Sequence, residues 1–196
     1  RKAGHAGTLD PRATGILAIA LGEAKKTIPY VTEQVKSYSF EVKWGEATDS
    51  DDSDGKIIQT SQMRPSEQDI IAILPRFRGE IKQTPPFFSA VKINGRRAYE
   101  LARSGEDFDI ASRSLFVSSL RLEKYISENS AILSLECGKG GYVRSIARDL
   151  GLELGCYGHV KWLRRVASGY FNLSMAHSLD TILKLNKTSA VNDFIL

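Results

Sequence analysis

Between Tyr38 and Trp44 the chain alternates: Tyr38, Phe40, Val42 and Trp44 fall on one parity, Ser39, Glu41 and Lys43 on the other. A period of two marks a β-strand with one buried face. Upstream, Ile16-Leu-Ala-Ile-Ala-Leu21 is an unbroken apolar run. It predicts a short buried strand, although period alone does not separate such a run from a helix. The polar stretch from Gly22 to Val31 is expected to form one helix. Ser66-Glu-Gln-Asp69 reads as a helix start with a capping side chain, and Ile70, Ile71, Ile73, Leu74 and Phe77 form an apolar face that Arg78-Gly79 ends. Thr84-Pro85-Pro86 forces an extended segment, and Val91 to Arg97 predicts a strand with a basic Asn94-Gly95 hairpin turn. Tyr99 to Arg103 reads as a short helix closed by Gly105. From Phe108 to Cys137 several short apolar runs predict a meander of strands. A strand over Ala131–Cys137, a helix over Val143–Leu154, a strand from Gly158 to Tyr170 and a last short helix over Ser178–Leu183 complete the pattern. No repeat, low-complexity tract or linker interrupts it. The expectation is one α+β domain, with a mixed, mainly antiparallel sheet and flanking helices.

Composition narrows the class. The chain has 196 residues, 42% apolar and 26% charged, as in an ordinary soluble globular protein. Its net charge of +4 suits an anionic partner such as RNA without requiring one. No apolar run approaches membrane-spanning length. The two cysteines, Cys137 and Cys156, form no CxxC pair and fit a reducing cytoplasm. His5, His159 and His177 are scattered, without the spacing of a zinc site. The chain opens Arg-Lys-Ala-Gly-His, with its most informative loop in the first dozen residues. Since termini are poorly ordered, the expectation is that a preceding segment is missing.

That loop is His5-Ala-Gly-Thr-Leu-Asp10-Pro-Arg-Ala-Thr-Gly15. Its glycines permit positive φ and close backbone approach, and Pro11 pushes Asp10 toward an extended conformation. A carboxylate on a stiff loop is how a reactive group is held still, although a turn or cap residue has the same local signature. Farther on, Thr48-Asp-Ser-Asp-Asp-Ser-Asp-Gly55 is densely acidic. Aligning Gly55 with the glycine of a calcium loop puts serines, Ser50 and Ser61, where acids are required, so that reading fails. A solvated loop is expected, with holding a basic partner as the other option. Lys139-Gly-Gly-Tyr-Val-Arg144 places a glycine pair between a strand and a helix start, without the P-loop pattern. Lys161, Arg164 and Arg165, interleaved with Trp162, Leu163 and Val166, suggest an RNA-facing strand or an ordinary half-buried one.

The stretches GHAGTLDPRATGILAIALGEAKK, KSYSFEVKWGEATDSDDSDG, FRGEIKQTPPFFSAVKINGRRAYELAR, KGGYVRSIARDLG and GHVKWLRRVASG together resemble the TruB-type tRNA pseudouridine synthases, relatives of the catalytic subunit of the box H/ACA RNA-guided enzyme. They stand in the family's order and span nearly the whole chain. The resemblance implies a pseudouridine synthase catalytic domain over residues 1–196. The family's preceding strand with its Lys/Pro/Gly motif and its small C-terminal RNA-binding domain are not seen. It implies that Asp10 is the catalytic aspartate, that Tyr38 stacks on the target uracil and that Arg144 pairs with Asp10. It further implies that His5 enters the RNA where the flipped base leaves a gap and that Leu163 walls the pocket; Lys26, Tyr142 and Arg165 are expected to contact substrate as well. Ala6 and Arg12 depart from the usual threonine and leucine, and Arg12 lies where it can touch RNA.

The implied reaction isomerises uridine at position 55, in the TΨC arm of tRNA, by breaking the N1–C1′ bond and rejoining the base through C5. No group or electron enters or leaves, so no cofactor and no metal are expected, and the partner is tRNA. Asp10 is the only acidic residue between Arg1 and Gly22, whereas a glycosidase usually needs two. Attack on sugar or base and abstraction of a sugar proton both stay open. Flipping the base costs a few kcal/mol, which stacking on Tyr38, worth roughly 1–3 kcal/mol, and phosphate contacts from Lys26, Lys92, Arg96, Lys161 and Arg165 can offset. A guide-RNA-dependent variant, a non-catalytic RNA-binding module and a nucleoside hydrolase are the competing readings. The leading one expects a cytoplasmic monomer in which Arg144 lies within about 4 Å of Asp10, with Tyr38 in the same cleft.

Overall fold

The computed structural model describes residues 2–184. Strands β1 (Ala3–His5), β2 (Thr14–Gly15) and β3 (Ile19–Leu21) lead through a 3₁₀ segment, Gly22–Thr27, into helix α1 (Ile28–Thr32). Strands β4 (Lys36–Trp44), β5 (Glu46–Thr48) and β6 (Ile57–Thr60) precede α2 (Glu67–Ile73), whose end tightens into a 3₁₀ turn, Leu74–Phe77. Then come β7 (Gly79–Gln83), the small hairpin β8 (Lys92–Ile93) and β9 (Arg96–Arg97), and α3 (Ala98–Ser104). The last part holds β10 (Arg113–Ser127), β11 (Ser130–Cys137), α4 (Val143–Glu153), β12 (Gly158–Ser168), β13 (Phe171–Asn172) and α5 (Leu179–Lys184).

The main sheet runs β13-β12-β4-β11-β10-β7 with antiparallel neighbours throughout, and β2 adds one short parallel pairing to β12. This is the expected α+β class. Strand β4 is central, and its Phe40, Val42 and Trp44 lie in the core as their parity predicted. Helix α4 lies over this face with Val143, Ile146, Ala147 and Leu150, spaced i, i+3, i+4, i+7, so one apolar stripe meets the sheet. The α2 cap is a full capping box, in which Ser66 and Asp69 bond each other's backbone N–H. Asn94 and Gly95 both take positive φ, as a tight hairpin requires. Among the described residues no helix is long and apolar enough to cross a membrane.

Three expectations need correction. The run Ile16–Leu21 is not a buried strand: Ile16 points inward, but Ile19 and Leu21 are 61% and 58% exposed. Strand β3 pairs only with β1, in a separate two-stranded ribbon. The segment 22–31 is not one helix either. Pro29 has no N–H to continue the preceding turn, so a new helix begins beside it. Residues 108–137 form no meander but one long hairpin. Register shifts between Val117 and Ser119, Leu122 and Lys124, and Tyr125 and Ser127 break the period of two, so one strand of 15 residues reads as several.

Candidate active site

The glycine-bounded loop is stitched to the sheet where it leaves. Strand β2 runs beside β12 with Gly15 opposite Arg165, and Ile16 N–H donates to the Arg165 carbonyl at 2.8 Å. Gly15 has φ +99°, and a Cβ there would lie 2.1 Å from the Arg165 carbonyl oxygen, so only glycine allows this approach. Within the loop, Ala13 N–H donates to Asp10 O at 2.9 Å, closing a turn around Pro11. Backbone bonds thus hold Asp10 in place and leave its side chain free.

Arg144, in the first turn of α4, reaches that side chain. Its Nε donates to Asp10 Oδ2 at 2.9 Å and its Nη2 to Asp10 Oδ1 at 3.1 Å, a bidentate pair joining residues 134 positions apart. Nη2 also donates to Phe88 O at 3.1 Å, and Nη1 to Ser50 O at 3.0 Å with Asp52 Oδ2 at 3.7 Å. The Arg144 side chain is 7% exposed and that of Asp10 is 33%. The cation is locked by three chain segments while one side of the carboxylate opens to solvent. Such a group meets an incoming molecule with its charge and orientation already set.

The acidic turn after β5 does not simply face water. Asp51, at φ +60°, is buried and pairs with Arg148 Nη1 at 2.8 Å, while Arg148 Nη2 donates to Thr84 O. Burial pushes the Asp51 carboxyl up to about 6, with Arg148 opposing that rise. The turn therefore holds the two α4 arginines, the second of the options left open for it. Asp51, Asp52 and Arg148 were not singled out by sequence reasoning. The acidic run was visible, but which of its carboxylates turn inward depends on the fold.

Tyr38 projects from β4 on the same face as Phe40, directly across from Arg165 on β12. Burial raises its phenol to about 12. Cys137 and Asp10 add to the rise, and the positive charge of the nearby Arg165 guanidinium opposes it. The folded protein therefore holds this proton to higher pH than the unfolded chain does, so stability falls as pH climbs from about 10 to about 12. Absorbance at 295 nm checks this. The difference between wild type and Tyr38→Phe should stay flat until the pH nears 12, and a step near pH 10 would contradict the buried setting.

The other expected site residues divide. Leu163 is buried beside Tyr38's strand, opposite Phe40. Tyr142 caps α4 half-buried, with its backbone N–H and C=O both bonded to the Gln83 side chain. His5 is exposed on β1, and Lys26 is exposed beside Glu23. Lys92 is exposed near the hairpin tip, Arg96 pairs with Glu106, and Arg12 pairs with Asp54. Lys161 instead bonds Glu41 at 2.9 Å, and Glu41 lies on the opposite parity of β4 from Tyr38. Arg165 is only 2% exposed and donates to the carbonyls of Ile16, Thr8 and Gly7. The phosphate-facing role expected for it is corrected, because its donors are turned inward onto the loop.

The fold is an antiparallel sheet backed by a helix, with a loop carboxylate clamped by that helix's first-turn arginine, and its architecture is that of known pseudouridine synthase structures. The solved Cbf5–Nop10–Gar1 complex contains a chain that superposes with a TM-score of 0.68 at 28% identity, covering 92% of this chain and 44% of that one. A chain of an H/ACA RNP bound to a substrate RNA containing 2′-deoxyuridine has the same fold, with a TM-score of 0.66 at 24% identity over 92% of this chain and 43% of its own. Residues 1–143 match the TruB family pseudouridylate synthase N-terminal domain, and residues 144–196 the tRNA pseudouridylate synthase B C-terminal domain. The chain belongs to the TruB family. It is 55% identical along its whole length to tRNA pseudouridine synthase B of Dinoroseobacter shibae and 54% identical to that of Cereibacter sphaeroides. It spans 64% and 65% of their lengths. The boundary between the two family domains is not a break in the fold: α4 and β12, just after it, share one core with β4 and β11.

Proposed function

We propose that this protein converts uridine to pseudouridine at position 55 in the TΨC arm of tRNA. The observation that carries the reading is the bidentate Arg144–Asp10 pair, buried on the arginine side and open on the carboxylate side. Tyr38, on the neighbouring strand, feels the Asp10 charge and offers a ring against which a flipped uracil can stack. Asp10 acts on the sugar or the base, Arg144 holds it aimed through two paired hydrogen bonds, and Leu163 walls the pocket. His5 lies exposed where it can enter the RNA, and Lys26 and Lys92 face solvent where phosphates can reach them. The family membership and the names of the curated relatives point the same way. The reaction rearranges one nucleotide without redox change, so the reading includes no cofactor and no metal. It also includes a monomer acting in the cytoplasm, with the described sheet and helices as its catalytic domain.

The test is incubation with an unmodified tRNA transcript, followed by mapping of pseudouridine and measurement of free uracil. Modification at position 55 alone is the expected result. Asp52 brings a second carboxylate to the Arg144 guanidinium, so base release is scored as well. Free uracil without pseudouridine would replace isomerisation by hydrolysis, and binding without either product would leave an RNA-binding module.

A further inference from the structure

Arg165 carries a charge that the chemistry above does not use. Its side chain is almost wholly buried, and among the described residues it forms no ion pair. A buried cation without a counter-ion is stable only where dipoles are aimed at it. Here those dipoles come from one place. Nε donates to Ile16 O at 2.7 Å, Nη1 to Thr8 O at 3.2 Å and Nη2 to Gly7 O at 3.3 Å. Gly7 and Thr8 precede Asp10 by three and two positions, and Ile16 follows it by six. One guanidinium therefore grips the loop on both sides of its carboxylate.

The main chain of the same residue adds to this grip. The Arg165 carbonyl accepts from Ile16 N–H, so Ile16 is bonded to Arg165 through both its backbone groups. The β12 register sets Arg165 across from Tyr38 on β4, close enough for its charge to act on the phenol. Loop, ring and sheet thus meet at one planar, permanently charged fork, a job an ammonium on a flexible stem cannot copy.

We propose that Arg165 is a positioning residue of the synthase: it sets where the Asp10 carboxylate stands relative to the Tyr38 ring, and it touches neither substrate nor phosphate. The inference rests on the isomerase reading above and adds to it how the reactive loop is held. It also opposes the RNA-facing role that the basic pattern of this strand suggests.

Arg165→Lys and Arg165→Met separate these roles in the full chain. A displacement of about 1 Å at a reacting group can reduce rate about a hundredfold. At saturating tRNA the single-turnover rate is expected to fall by about that factor in Arg165→Met, and by less in Arg165→Lys, which can still reach one carbonyl. The dissociation constant should stay within about threefold, and the slope of log Kd against log salt should not change, because no phosphate contact is lost. Weaker binding with a slope reduced by about one, at a near-normal saturated rate, would make Arg165 a phosphate contact and overturn the proposal. Hydrogen exchange without RNA gives a readout that needs no activity. In Arg165→Lys, amides of residues 6–16 should lose protection while β4, β11 and α4 keep theirs. Uniform loss across the sheet would assign Arg165 to the core instead, and unchanged protection with an unchanged rate would also overturn the proposal. Failure of the wild type to form pseudouridine would strike the functional reading and leave the exchange result to judge the clamp.

Discussion

Asp10→Asn is expected to lower pseudouridine formation more than a thousandfold, equivalent to about 4 kcal/mol or more in the barrier, while tRNA binding stays within a few-fold. The side chains have nearly the same shape, so the turn around Pro11 and the loop's backbone bonds persist. What changes is chemistry. An amide is neither a base nor a nucleophile of comparable strength. It also presents N–H to one of the two guanidinium donors that now meet carboxylate oxygens at 2.9 and 3.1 Å, so one of the paired bonds becomes a donor–donor contact. Removing a negative charge from a surface that receives a polyanion does not weaken binding, so affinity should hold or rise slightly. The measurements are a single-turnover assay and a binding titration. Activity above a tenth of wild type would remove Asp10 from its central place.

Arg144→Lys should follow closely, with a loss of about a hundred- to a thousandfold in rate at saturating tRNA and little change in affinity. The charge is kept, so the outcome isolates geometry. Arg144 supplies three nitrogens to Asp10, Ser50 O and Phe88 O. A single ammonium has one position and cannot serve all of these points. It leaves buried carbonyls unpaired, which costs about 1–3 kcal/mol each, and it lets the carboxylate rotate. Arg144→Met is less informative, because removing one partner of a buried pair destabilises the fold as well. A Lys variant within tenfold of wild type would show that charge near Asp10 is enough and that the fork is not needed.

The expected meeting of Asp10 and Arg144 rested on an acidic loop stiffened by glycine and proline, a helix start after paired glycines, and the resemblance carried by the motifs around both. The rest of the arginine's shell was not readable. Ser50 and Phe88 contribute backbone carbonyls, which every residue has, so no side-chain pattern marks them. In the acidic run, Asp51 turns inward because its backbone takes φ +60°, an uncommon setting for a residue other than glycine.

Elements whose signals are local could be read directly from the chain. The period of two in β4, the i, i+3, i+4, i+7 stripe of α4, the Ser66 cap and the Asn94-Gly95 turn each need only their own neighbours to form. The shaped loop that carries Asp10 belongs with them, since glycine and proline act on the backbone where they stand. Facing and partnership are different, because they depend on register. On β12 the pairing with β4 shifts between Val160 and Trp162 and again between Arg165 and Ala167. A slip of one residue sends a side chain to the other face of a sheet. That is why Lys161, Arg164 and Arg165 read alike along the chain as basic residues among apolar ones, yet Lys161 bonds Glu41, Arg164 faces solvent and Arg165 turns inward to grip the loop around Asp10.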